Sequence, residues 1–234
     1  MDEPVKPYYE DDLVTLYHGD CLESTEWLQA DVLVTDPPYG RSWKQGNIKE
    51  ARWLSAQDSD AHEGIANDSD TSVRDSILDQ WGARPWIALG DLMLMPPSGT
   101  KLTGVYWKDS GTSGFRGAVA GVRRDAEAIY FGGSLPTGLG GRSSVFRFSG
   151  SVSGSHGLTG MTGHPHTKPV GLMESLIELC PRGTIADPFS GSGSTLIAAR
   201  NLGRRAIGVE LVESYCETIA TRLSQQAFDF GDLA

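Results

Sequence analysis

Asp31-Val32-Leu33-Val34-Thr35 is an apolar run with no alternation, and it stops abruptly at Asp36-Pro37-Pro38-Tyr39. Successive strand side chains point to opposite faces, so a strand apolar at every interior position must be covered on both sides. That need is met inside a parallel sheet with helices above and below it. The rest of the chain supplies the other layers. Leu13–Tyr17, Trp86–Leu89, Gly104–Trp107, Ala128–Phe131, Thr184–Asp187 and Arg205–Glu210 read as further strands. Residues 72–81 carry Val73, Ile77, Leu78 and Trp81 at helical spacing. Val170–Cys180 is an amphipathic helix begun by Pro169 and ended by Pro181-Arg182-Gly183, and helices also span Ser194–Leu202 and Ser214–Ser224. A short helix with Leu22, Trp27 and Leu28 facing inward is expected after Gly19-Asp20. Leu92–Met95 is a further apolar patch, and Ser144–Phe148 is a short strand within a Gly/Ser-rich stretch over 132–163. The class is α/β with a mainly parallel sheet.

A length of 234 residues with 39% hydrophobic side chains suits a single domain, 1–234. Residues 41–68 have no clean periodicity and are expected to form a flexible lid. The three cysteines, Cys21, Cys180 and Cys216, form no Cys-x-x-Cys pair, so neither a disulfide scaffold nor a structural zinc site is expected. His164 and His166 alternate as a metal pair could, but two ligands do not make a site, and no metal is expected. The start of the chain is polar and acidic, and no run approaches the ~20 apolar residues of a membrane span. A cytoplasmic protein, monomeric or homodimeric, is expected.

The net charge of −10 argues against a polyanionic partner, but the charge is unevenly distributed. Residues 1–40 carry one Lys or Arg against ten Asp or Glu, whereas residues 101–150 carry seven against three. Binding a polyanion needs a local patch, and the middle of the chain provides one.

Two turns fall where α/β proteins bind ligands, beyond the carboxyl ends of strands. In Asp187-Pro188-Phe189-Ser190-Gly191-Ser192-Gly193-Ser194-Thr195 the glycines allow a tight turn and close backbone approach to a ligand. The helix that follows presents free N–H groups. Glu210 ends the next strand, 17 residues after Gly193, where a carboxylate can accept ribose hydroxyls. Taken alone, this loop fits a nicotinamide or flavin site equally well, or a tight turn with no ligand. The second turn is Asp36-Pro37-Pro38-Tyr39. Two residues of fixed φ hold the Asp36 carboxylate and the Pro37 carbonyl toward one point. Two converging acceptors suit an NH2 group, and Tyr39 offers a face for a planar base.

Together these turns resemble the catalytic and cofactor motifs of the N6-adenine and N4-cytosine DNA methyltransferases. The catalytic motif comes first, as in the circularly permuted β group of that family. His164-Pro165-His166-Thr167-Lys168-Pro169, Gly208-Val209-Glu210 and Gly19-Asp20-Cys21 resemble further motifs in the same order. Weaker echoes stand at Val105-Tyr106-Trp107-Lys108 and Asp125-Ala126-Glu127. His166 and Thr167 depart from the usual Thr and Gln of the family, and Ser194 from a frequent Thr.

The resemblance implies a Rossmann-like fold of the S-adenosylmethionine-dependent methyltransferases, with a mainly parallel seven-stranded sheet, helices on both faces and permuted motif order. It implies S-adenosylmethionine as cofactor, held by Asp20, Lys168, Asp187, Phe189, Ser190, Gly191, Gly193, Ser194, Thr195 and Glu210. It implies a catalytic site at Asp36, Pro37, Pro38 and Tyr39, acting on a base flipped out of DNA. Restriction-modification is one biological setting that goes with it, beside regulation and phage modification. Asp rather than Ser before Pro-Pro-Tyr favours N6 of adenine over N4 of cytosine. A nicotinamide-dependent oxidoreductase would leave Asp36–Tyr39 without a purpose. DNA phosphates are assigned to Lys101, Lys108, Arg116, Arg123, Arg124, Arg142 and Arg147. Residues 109–163 have room only for a short target-recognition loop region, where larger relatives carry a domain.

Overall fold

The computed structural model describes residues 5–42, 67–109, 119–149 and 167–228. The expected lid between 43 and 66, Arg116, and the pair His164 and His166 lie outside the described residues.

The strands are β1 (Tyr9–Glu10), β2 (Val14–His18), β3 (Val32–Thr35), β4 (Trp86–Gly90), β5 (Thr100–Lys108), β6 (Ala126–Gly132), β7 (Val145–Phe148), β8 (Ile185–Asp187) and β9 (Ala206–Glu210). The helices are α1 (Ser72–Trp81), α2 (Val170–Ile177), α3 (Ser194–Asn201) and α4 (Glu213–Phe228). The strands form one sheet in the order β1-β2-β9-β8-β3-β4-β6-β5-β7. The strands β2, β9, β8, β3 and β4 are mutually parallel, whereas β6 runs antiparallel to both β4 and β5. Among the described residues the sheet has nine strands where seven were expected. The two extra strands are edges: β1 pairs antiparallel with β2, and β7 pairs parallel with β5. Each supplies partners to a row of backbone groups that would otherwise end the sheet.

The non-alternating apolar runs are explained by the two cores they serve. Val32, Val34, Ile87, Leu89, Ile129 and Ile185 face one side, where Leu172 and Leu176 of α2, Leu196 and Ile197 of α3, and Ile219 and Leu223 of α4 cover them. Leu33, Trp86, Ala88, Ala128, Tyr130 and Ala186 face the other, against Trp27 and the α1 residues Ile77, Leu78 and Trp81. The second face is built from small strand residues under large rings. Trp27 and Trp81 stack with centroids 5.8 Å apart. A Cβ on Gly132 would stand 2.0 Å from the Trp86 ring, so only glycine fits there. Removing one such buried ring typically costs about 3–5 kcal/mol.

Local departures from expectation have identifiable causes. The region of Trp27 is a 3-10 turn, Glu26–Gln29, in which Trp27 is fully buried and its indole N–H donates to the Cys21 and Ser24 carbonyls. Leu22, expected to face inward, is 37% exposed. Leu92–Met95 forms no element, and Met93 and Met95 are exposed. Helix α2 ends at Ile177, three residues early. There the Arg204 guanidinium donates to the carbonyls of Ile177, Pro181 and Gly183, and so takes over acceptors that the last turn leaves open.

Candidate active site

The parallel strands β9, β8, β3 and β4 end together, and the two motif turns leave from the neighbours β8 and β3. They are joined at their roots. The Thr35 hydroxyl donates to Asp187 Oδ1 at 2.6 Å, linking residues 152 apart in sequence. Thr35 immediately precedes Asp36, so this bond fixes the base of the Asp-Pro-Pro-Tyr turn to the base of the glycine turn.

The glycine turn is held from several directions. Asp187 Oδ1 accepts from the Phe189 amide (3.2 Å), and the Ser190 hydroxyl donates to the Asp187 carbonyl (3.0 Å). Gly193 caps α3 with φ +83, a left-handed conformation, and Ile219 lies 3.0 Å from where a Cβ would be. Behind the turn, Arg222 of α4 donates to the Ser192 carbonyl. Ser194 and Thr195, both buried, open α3, whose first N–H groups have no partners within the helix. Glu210 ends β9 beside this turn. Its Oε2 accepts from the Gly191 amide (2.7 Å) and its Oε1 from the Val212 amide (2.9 Å). Gly19 donates to the Glu210 carbonyl, which brings Asp20 alongside.

Burial raises both carboxyls of this half. It pushes Asp187 up to about 6, against the pull of the Thr195 and Thr35 hydroxyls and the Phe189 amide. It pushes Glu210 up to about 7, despite the Val212 and Gly191 amides.

The other half is an ion cluster. Asp36 Oδ1 accepts from the Tyr39 hydroxyl (2.8 Å), and Asp36 Oδ2 pairs with Lys168 Nζ (2.6 Å). Lys168 Nζ also lies 3.4 Å from Glu127 Oε2, and Lys108 Nζ lies 2.5 Å from Glu127 Oε1. The Tyr39 hydroxyl is 3.1 Å from Glu127 Oε2, but with one proton it serves Asp36 or Glu127, not both at once. Burial alone would raise the Glu127 carboxyl, yet the Lys168 and Lys108 ammoniums hold it down at about 2. Burial works against the Lys168 ammonium, and Asp36 with Glu127 more than reverses that, raising it above the ordinary lysine range. Burial, Asp36 and Glu127 all push the Tyr39 hydroxyl well above its usual value.

Lys168 joins the two halves, because its carbonyl accepts from the Ser194 hydroxyl (2.8 Å) while its ammonium pairs with Asp36. The turn after Tyr39 is braced as well. Asp68 Oδ1 accepts from the amides of Gly40 (2.7 Å) and Arg41 (3.2 Å), and Arg41 pairs with buried Asp91 at the end of β4.

Asp36, Pro37, Pro38 and Tyr39 are thus brought beside Asp187, Phe189, Ser190, Gly191, Gly193, Ser194, Thr195, Glu210 and Asp20. Lys168, expected at the cofactor, pairs its ammonium with Asp36 while its carbonyl accepts from Ser194 at the start of α3. The basic residues are more dispersed. Lys108 lies inside the ion cluster. Arg147 stacks over Trp107 at 4.8 Å, Arg123 is 3.7 Å from Asp125, and Arg142 is 3.7 Å from Glu178. Lys101 lies near the start of β5, seven residues and roughly 23 Å from Lys108 at ordinary strand rise, at the end of the sheet away from Asp36. A shallow groove lined by Met95–Pro97 and Thr100–Thr103 opens there, apart from the site.

Four residues of the site had no role assigned from sequence: Thr35, Asp68, Glu127 and Arg222. Of these, only Glu127 carried a signal, as part of the weaker family echo at Asp125-Ala126-Glu127.

Residues 91–221, more than half of the chain, match the family model described as DNA methylase, the N6/N4 methyltransferases. The chain belongs to that family, whose members transfer methyl groups from S-adenosylmethionine to N6 of adenine or N4 of cytosine in DNA. Among similar proteins, the putative methylase YubD of Escherichia coli K12 is 28% identical over 232 residues, covering 91% of this chain and 92% of its own. The type II methyltransferase M.ScaI of Streptomyces caespitosus is 27% identical over 264 residues, covering 95% and 85%. The PvuII DNA methyltransferase, described as cytosine-N4-specific, shares the fold with a TM-score of 0.60 at 17% identity, over 100% of this chain and 92% of that one.

Proposed function

We propose that this chain methylates N6 of an adenine flipped out of DNA, using the Asp36–Tyr39 turn as the acceptor site and the Asp187–Thr195 turn with Glu210 as the cofactor site. The observation that carries this reading is the Thr35–Asp187 bond, which roots both turns on adjacent strands.

The cofactor half fits S-adenosylmethionine on its own chemistry. Each Glu210 oxygen accepts one amide and retains a second acceptor position for a ribose hydroxyl. The N–H groups of Ser194 and Thr195 at the start of α3 suit the carboxylate of the methionine moiety. Phe189, in the same turn, and Asp20, brought near Glu210 by the Gly19 amide, would take the adenine moiety. Bound there, the cofactor supplies a methyl group activated by a sulfonium charge.

The chain's own task is to make a poor nucleophile reactive. The amine lone pair of adenine is delocalised into the ring. Asp36 and the Pro37 carbonyl, accepting its two hydrogens, would disfavour that planarity and stabilise the positive charge that grows on nitrogen as the methyl arrives. Tyr39, anchored through its hydroxyl, would present its ring to the flipped base, an interaction worth about 1–3 kcal/mol against the cost of extrusion. Arg123 and Arg124, just before β6, and Arg147, on β7, would meet phosphate.

The test incubates the protein with isotope-labelled S-adenosylmethionine and DNA grown without methylation, then identifies the labelled nucleoside by mass spectrometry. N6-methyldeoxyadenosine is expected, and Asp36→Ala should abolish it while cofactor binding persists. N4-methyldeoxycytidine as sole product would move the reading to cytosine. The absence of any methylated nucleoside would remove it.

A further inference from the structure

The contacts of the Lys168 ammonium are the contacts that an incoming amine would need. It donates to Asp36 Oδ2 at 2.6 Å, lies 5.3 Å from the centre of the Tyr39 ring, and is 8% exposed. The other Asp36 oxygen is taken by Tyr39. While Lys168 stays in this position, its ammonium takes one acceptor position on Oδ2 and the Tyr39 hydroxyl one on Oδ1, so an exocyclic amine has to share an Asp36 oxygen with one of them. Its charge also opposes the reaction, since a cation paired to Asp36 cancels the carboxylate just where a second cation is to develop.

A second berth is already built. Glu127 Oε2 stands 3.4 Å from Lys168 Nζ, so a shift of well under 1 Å would turn that approach into a full hydrogen bond. Lys108 holds the opposite oxygen, Oε1, which leaves Oε2 to face Lys168. The groups facing this ammonium are Asp36, Glu127, Tyr39 and Tyr106. Only Glu127 among them can keep the lysine charge paired once Asp36 is given up, and a buried ammonium cannot be left without a partner. The flexible stem and three rotatable donors of lysine suit such a transfer.

Resting on the amine-methylation reading above, we propose that Glu127 is a positioning residue that draws Lys168 off Asp36 as the exocyclic amine enters. Lys168 occupies the acceptor site between turnovers and Glu127 receives it during them.

The test compares initial methylation rates of wild type, Glu127→Gln, Lys168→Met and the double variant, with the Kd for S-adenosylhomocysteine measured on each. Glu127→Gln strands Lys168 on Asp36. Its kcat is expected to fall on the order of tenfold to a hundredfold, the scale of losing one charge-assisted interaction, with cofactor Kd unchanged. Glu127→Asp, which keeps the charge, should retain more activity than Glu127→Gln. Removing Lys168 as well lifts the obstruction, so the double variant should exceed the Glu127→Gln single variant severalfold. A double variant at or below the single one, as a merely structural cluster would give, overturns the proposal. Should Lys168→Met fail to fold, 15N-lysine spectra of the wild type, which has six lysines, give the same answer. One slowly exchanging ammonium signal should shift when DNA and S-adenosylhomocysteine are added together, and unchanged signals overturn the proposal. A wild type that methylates no DNA would defeat the functional reading itself, whereas an active wild type with the wrong order of variants defeats only the role of Glu127.

Discussion

Replacing Thr35 with valine removes the bond that roots the two turns together while keeping the shape of the side chain. Thr35 and Asp187 are 2% and 1% exposed, and their 2.6 Å separation is that of a short hydroxyl–carboxylate bond. Loss of one charge-assisted bond to a buried carboxylate costs roughly 1.5–3 kcal/mol. At about 2–4 °C per kcal/mol for a domain of this size, that lowers the Tm by roughly 3–12 °C. The loss depends on pH in a defined direction. Asp187 is pushed from the model-compound value of 3.8 up to about 6 in the folded chain, so folding favours its protonated form. Its contribution to stability is therefore fully present below about 3.8 and is lost as pH rises through about 6. The Thr35 hydroxyl is one of the groups that restrain this rise, so Thr35→Val extends the loss to higher pH. Thermal unfolding followed by circular dichroism should show a larger gap between variant and wild type at pH 8 than at pH 5. An equal gap at both values, or none at pH 8, would refute the role given to this bond.

Glu210, pushed up to about 7 by burial, accepts ribose hydroxyls best as a carboxylate. The affinity for S-adenosylhomocysteine, measured by calorimetry, should therefore rise between pH 6 and pH 8, and Glu210→Gln should bind more weakly with that dependence flattened. Replacing Arg123 and Arg124 together with alanine should weaken DNA binding and lower the slope of log Kobs against log salt by up to about 1.8, which a fluorescence-anisotropy titration at several salt concentrations would read.

Much of this was legible in the sequence because it was local. The unbroken apolar run of β3 demanded cover on both faces, and the two cores supply it. The glycines of 187–195 announced a turn that lets backbone approach a ligand, and Gly193 adopts the left-handed conformation that makes this possible. What could not be read was pairing across the sheet. Nothing near Lys168 in sequence indicates that its ammonium meets Asp36, 132 residues away. Glu127 stood only in a weak echo, and a general rule kept it from being given a role. Ligand residues were sought beyond the carboxyl ends of strands, but β6 runs antiparallel, so its amino end lies at that same edge of the sheet. The two-residue strand β1 was too short to leave a pattern.

The placement of acidic groups also bears on how a chain of net charge −10 can serve a polyanion. Asp36, Glu127, Asp187 and Glu210 collect at one end of the sheet, where among the described residues Lys108 and Lys168 pair with them and Arg41 lies nearby, paired with Asp91. A site proposed to hold a sulfonium and to stabilise its positive charge as it passes to the amine nitrogen would gain from such an excess, because preorganised negative charge acts on charge that develops beside it. DNA would meet a different surface. Under the proposed reading the phosphates would reach Arg123, Arg124 and Arg147, and the Debye length of roughly 10 Å at moderate salt would screen them from acidic stretches such as Glu10–Asp12 beside the far edge strand β1. The acidic total and the basic middle segment are then answers to two separate demands, one cationic chemistry and the other a polyanionic substrate.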